Sequence, residues 1–222
     1  MGIHDGHRQR VYDRLRKEGL ESFSPHNVLE LLLFFSIPRA DTNEIAHRLI
    51  DRFGSVAAVL DAPESELVKV NGVGEYSATL IKLIPQLARY YMTDKTEDVV
   101  ISSSRQAGEY LLPRYVGRSV ETVMIVCLDN KGKVISTTIV HEGSVNVSEV
   151  NVQAIAGVAL QNKASAIIIA HNHPDGVALP SNDDIITTKS ICHAMSSINI
   201  RVVDHIIVAD NDYVSLADSG NI

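Results

Sequence analysis

Residues 165–184 read SAIIIAHNHPDGVALPSNDD, and the fold turns on how this stretch is understood. The run AIIIA is short, apolar and rich in β-branched residues, which marks a strand buried on both faces. His171 and His173 leave it at its C-terminal end, where open α/β sheets place ligand sites. In extended backbone, alternate residues share a face, so both imidazoles point one way and Asn172 the other. PDG turns the chain, Ser181 opens a helix, and Asp184 falls in that helix's first turn. Two histidines and an aspartate with room for a fourth group is the ligand pattern of catalytic zinc. Ser181 and Asp184 also satisfy a helix capping box, with the acid at a favourable helix N-terminus. Cap and metal site can coexist.

Outward from this stretch the signals alternate. TVMIVCLD, the turn NKGK and VISTTIVHEG read as a hairpin. VNVQAIAGVALQNKA reads as a helix, SNDDIITTKSICHAMSSIN as another, and IRVVDHIIVAD and DYVSLA as closing strands. That order predicts a mixed α/β sheet covered by helices. The first ninety or so residues differ in period. HRQRVYDRLRKEGL, SPHNVLELLLFFSI and DTNEIAHRLIDRFG read as helices, the last opening on Asp41 or Thr42 and stopping at Gly54. SVAAVLDA, APESELVKV and EYSATLIKLIPQLARYY follow, with Pro85 expected to kink or break the last. Polar MTDKTEDVVISS reads as a connector. The expected division is a helical domain over 1–92, a linker over 93–102 and an α/β domain over 103–222.

Composition fits a globular chain with a sizeable core: 222 residues, 45% hydrophobic, net charge −7. The acidic excess lies mainly after Lys95, which disfavours a broad electrostatic grip on DNA there. The basic run HRQRVYDRLRK puts any nucleic-acid contact in the first part. LELLLFFSI is far too short to cross a bilayer, and MGIHDGHRQR lacks the apolar segment of a signal peptide. Gly6 stands where a myristoylation motif wants Ser or Thr. Cys127 and Cys192 form no paired motif, so reduced thiols and a cytoplasmic location without membrane contact are expected. A zinc deaminase would need HxE followed by PCxxC, and neither cysteine stands in that context.

The glycines of VNGVGEYSA, Gly72 and Gly74, allow a tight turn between two helices. Backbone N–H groups at the second helix start form an anion site by geometry and dipole. Lys69 and Lys82 are the nearby cations, whereas Glu75 sets a negative charge where a phosphate would sit. A plain helix connector or a protein contact fits the same pattern.

HNHPDGVALPSNDD resembles the JAMM (MPN-plus) metalloprotease signature, and most closely its RadC branch. The similarity extends through LDNKGKVI, AIAGVALQNKASAIIIAHNHP and IRVVDHIIVADNDYVSLADSG. LELLLFF, AHRLIDRFGSVAAVL and VNGVGEYSATLIKL resemble that family's helix-hairpin-helix domain. The resemblance implies a JAMM/MPN-like mixed sheet flanked by helices, with cytidine-deaminase-like layering, after a small all-α helix-hairpin-helix domain. It also implies one Zn2+ per chain on His171, His173 and Asp184, with Ser181 helping to hold an oxyanion. A glutamate should act as general base, and the matching position is Glu121, with Glu142 and Glu149 as competitors. Asp204 and His205 either support the site from behind or form a buried strand pair, and His193 is expected to be structural.

Two departures stand out. Asp175 replaces the usual serine after HNHP, and VNVSEVN replaces VHPRE, losing its arginine. The expected function is a zinc-dependent hydrolase of peptide or isopeptide bonds in a RadC-like DNA-repair-family protein. Its partners would be a peptide or protein substrate, with non-specific DNA on Gly72, Gly74 and Lys82. The alternatives are a DNA-associated binding protein whose zinc site has little or no turnover, and a protein-interaction scaffold. The intact ligand set disfavours the scaffold.

Overall fold

The structure is a computed structural model that describes residues 5–94, 98–143, 151–174 and 176–222. The chain divides into two compact units, Met1–Leu87 and Ala88–Ile222.

The first unit is helical: α1 (Asp5–Glu18), a 3-10 turn (Leu20–Ser22), α2 (Pro25–Leu33), α3 (Asn43–Phe53), α4 (Val56–Asp61), α5 (Glu64–Leu67) and the start of α6 (Glu75–Asp94). Its core gathers Leu29, Leu33, Leu49, Val59, Leu67 and Ile81 from five of these helices. α3 begins where the Asp41 carboxylate accepts the Asn43 N–H at 2.9 Å, and it stops where Gly54 turns to φ +89°. α6 continues through Pro85, so the break expected there does not form.

The second unit is a five-stranded sheet ordered β2-β1-β3-β4-β5, built from β1 (Thr122–Leu128), β2 (Val134–Glu142), β3 (Ala166–Asn172), β4 (Arg201–Ala209) and β5 (Asp212–Ser215). Only β3 and β4 run parallel. α8 (Val152–Gln161) and α9 (Asn182–Ser196) cover one face, where Val123, Ile125, Ile167 and Ile169 meet Ile155, Ile191 and Met195. α7 (Ser104–Tyr115) covers the other, where Met124, Val126, Ile168 and Ala170 meet Tyr110 and Leu111. Covering both faces explains why β1 and β3 are buried along their whole lengths and show no alternation in sequence. α7 is the element the sequence reading passed over. Its cap is nevertheless clear, since the Ser103 hydroxyl accepts the Gln106 N–H. Residues 95–97 of the expected linker lie outside the described residues. The end of that stretch belongs to the second unit: Ile101 N–H donates to Gly132 O, and Val99 O accepts from Val134 N–H.

Candidate metal centre

Strand pleating places the ligands. β1 and β3 pair with Val123 opposite His171, so His171 shares a face with Ile167 and Ile169, the face that α9 covers. β4 then adds a register shift: Ile167 pairs with Val202, but Ile168 pairs with Asp204 and Ile169 with His205. A one-residue slip exchanges the two faces of a strand. Here it carries His205 onto the α9 face, diagonal to His171, and Asp204 onto the α7 face.

Four groups therefore converge under the first turn of α9. His171 Nε2 and His173 Nε2 lie 2.9 Å apart. Asp184 Oδ1 is 3.4 Å from His171 Nε2, and Oδ2 is 3.7 Å from His173 Nε2. One ligand atom from each of the three residues lies within 4.8 Å of the others. A tetrahedral zinc with bonds of about 2.0–2.1 Å needs ligand atoms about 3.3 Å apart, and these separations bracket that edge. Behind them, His171 Nδ1 meets His205 Nε2 at 2.8 Å. His205 Nδ1 meets Thr188 Oγ1 at 2.6 Å.

Asp184 is both cap and third member. Its Oδ2 accepts from Ser181 N–H at 2.8 Å and from the Ser181 hydroxyl at 2.7 Å, while its own N–H donates to Ser181 Oγ at 3.1 Å. This capping box fixes the carboxylate at the positive end of α9 and turns Oδ1 toward His171. The expected cap and the expected ligand position are one arrangement. Ser181's hydroxyl proton is spent on Asp184, so donating to an oxyanion would require the hydroxyl to rotate.

Protonation favours cation capture. His173 Nδ1 lies 3.2 Å from Val177 O, and a carbonyl only accepts, so Nδ1 carries a proton and in the neutral imidazole Nε2 is the bare nitrogen. Burial pushes the His171 imidazole down to about 4. It pushes fully buried His205 well below its usual range, with the two neighbouring histidines adding in the same direction. Lone pairs and a carboxylate oxygen facing one another are unfavourable unless a cation sits among them. The donor set of two imidazoles and a carboxylate is the one zinc accepts.

The remaining expected residues differ in their placement. Half-buried Glu121 immediately precedes β1, whose Val123 pairs with His171. Three hydrogen bonds hold the backbone of Glu121 and its two chain neighbours. Asn172 Oδ1 accepts the Thr122 N–H at 2.8 Å, Asn172 Nδ2 donates to Val120 O at 3.2 Å, and Gly143 N–H donates to Glu121 O at 3.0 Å. Glu142 instead pairs with Thr122, on the face away from His171, and accepts from Arg118 Nη1 at 3.1 Å. Glu149 and Asp175 lie outside the described residues. His193 is exposed on α9 and takes no part in the cluster. Asp204 is the buried structural acid: its carboxylate takes the His205 N–H, the Ala217 N–H and the Ser215 hydroxyl. Sequence reasoning missed Thr188 and gave Asn172 no task. Thr188 stands four residues after Asp184, on the same helical stripe, and that spacing was the available signal.

The model of the RadC-like JAB domain matches residues 101–221, more than half of the chain. The chain belongs to this family. The RadC-like JAB domain thus spans the whole sheet, α7, α8, α9 and the His171–His173–Asp184 cluster. No helix among the described residues is long and apolar enough to cross a membrane.

The turn in the first unit looks different. Gly72 adopts φ +96°, and a Cβ there would lie 2.7 Å from Ile45 Cδ1, so backbone and packing both demand glycine. At Gly74 a Cβ would meet nothing within 4 Å. Lys82 is not a free cation: its ammonium donates to Leu60 O at 2.7 Å and Asp61 O at 3.0 Å, closing α4. Burial lowers its pKa accordingly.

Proposed function

We propose that the protein is a zinc-dependent hydrolase of peptide or isopeptide bonds. The observation that carries this reading is the convergence of His171, His173 and Asp184 with their ligand atoms within 4.8 Å. His171 and His173 would hold zinc through Nε2 and Asp184 through Oδ1. When bound, zinc supplies Lewis acidity, acidifying water to a pKa of about 7 and polarising a carbonyl. Glu121 takes the proton from the attacking water and delivers it to the leaving amine. Asn172 holds the backbone on either side of Glu121, at Val120 and Thr122. Ser181 fixes Asp184, and its hydroxyl rotates to donate to the developing oxyanion, a contribution of about 3 kcal/mol.

The test is to load the chain with zinc, expose it to a mixed peptide library and isopeptide-linked peptides, and read cleavage by mass spectrometry. Cleavage that falls roughly 10²–10⁴-fold in Glu121→Gln with zinc retained supports the reading. Equal cleavage by the variant contradicts it.

A second reading, contact with duplex DNA at the Gly72–Gly74 turn, is favoured by Gly74. Among the described residues no packing requires glycine there, whereas a closely approaching phosphate backbone would. A DNA-repair role and a helix-hairpin-helix assignment for the first unit rest on this turn and on the sequence resemblance.

A further inference from the structure

We infer that Thr188 and His205 are positioning residues: together they fix the tautomer of His171, so that its Nε2 lone pair faces the metal. The inference rests on the metal-centre reading above and assigns the two buried groups behind it.

The direction of the hydrogen bonds follows from the far end of the chain. Thr188 Oγ1 lies 2.5 Å from the backbone carbonyl of Asp184. A carbonyl only accepts, so the hydroxyl proton goes there, leaving the Thr188 oxygen to accept. His205 Nδ1, 2.6 Å from that oxygen, must then carry a proton. A neutral His205 accepts at its other nitrogen, Nε2, and the group 2.8 Å away is His171 Nδ1. His171 is thereby protonated at Nδ1, and its Nε2 is left bare toward His173 and Asp184. All three side chains are fully buried, so water does not compete for these protons. The path starts at one proposed ligand and ends on the main chain of another. It ties β3 through β4 to α9, so the tautomer and the placement of Asp184 are set by one network. A metal-bound imidazole needs its second nitrogen held by an acceptor in this way, and removing such partners typically costs 10–100-fold in metal affinity.

The distinguishing variants are Thr188→Val, nearly isosteric but without the hydroxyl, and Thr188→Ser, which keeps it. In Thr188→Val, His205 loses its acceptor at Nδ1, and its proton is free to move to Nε2 and be donated toward His171. Zinc affinity, read by competition with a chromophoric chelator, should fall roughly 10–100-fold in Thr188→Val. It should return to within about threefold of wild type in Thr188→Ser. Circular dichroism and thermal melting of each variant would exclude unfolding as the cause. Independently, 15N NMR of imidazole nitrogens in the metal-free wild type should find His171 and His205 both protonated at Nδ1. Unchanged zinc affinity in a folded Thr188→Val, or His171 protonated at Nε2, would overturn the inference. A wild type that takes up no zinc would instead sink the metal reading, while the NMR arm still decides the tautomers.

Discussion

Two places in this molecule put unusual residues close together, and they differ in how far the chain explains itself. At the end of β3, His171, His205, Thr188, Asp184 and Ser181 join one another through directed hydrogen bonds, and with His173 they bring together ligand atoms that could hold a metal ion. At the turn before α6, Gly72 is explained by its own backbone and by Ile45, while a Cβ at Gly74 would meet nothing within 4 Å among the described residues. The first site can be read from within, because buried polar groups must be paired and the missing partner shows by subtraction. The second can be read only through a partner, because an exposed glycine carries no such accounting.

That contrast can be broken most sharply at the cluster. His173→Ala should abolish stoichiometric zinc; elemental analysis that still finds about one zinc per chain would remove His173 from the ligand set. A change of pH gives the next largest effect, read as the stability of metal-stripped protein. Folded His171 titrates near 4, below its ordinary 6.5, and His205 is lowered too. The folded chain therefore binds fewer protons than the unfolded chain in that window, and stability should fall as pH drops from 6.5 toward 4. The slope approaches about 1.4 kcal/mol per pH unit for each histidine. A denaturant midpoint that is flat across the window would mean that the imidazoles are not held neutral.

The glycine turn yields smaller effects. Gly72→Ala should destabilise the first unit by about 1–2 kcal/mol, because a left-handed backbone and the Ile45 side chain both oppose a Cβ. Gly74→Ala should leave stability within about 0.5 kcal/mol of wild type. If the turn contacts duplex DNA, the same variant should weaken binding several-fold at low salt. Unaltered binding would remove the DNA reading from this turn.

The sequence carried the cluster unusually well, and the reason is locality. His171 and His173 share a strand face by their spacing alone, and Ser181 with Asp184 is a first-turn pattern that needs no tertiary knowledge. The strands of the sheet were legible for a related reason, their β-branched runs bounded by turns. What stayed hidden depends on contacts distant in sequence. His205 reaches His171 only because β4 slips one residue against β3 between Ile167 and Ile168, and no local signal announces that slip. α7 was passed over because Gly108 and Pro113 weaken its helical pattern, whereas the sheet face it covers supplies its stability. Glu142 was a competitor to Glu121 in the sequence until its pairing with Thr122 set it on the face away from His171.

The central claim is that the cluster is a metal site and not a capping box beside spare histidines. The direct measurement is zinc per chain, by elemental mass spectrometry on untagged protein from zinc-supplied cells, with His171→Ala alongside. About one zinc in the wild type and none in the variant is the expected result. No zinc in the wild type, or equal zinc in both, would contradict the account.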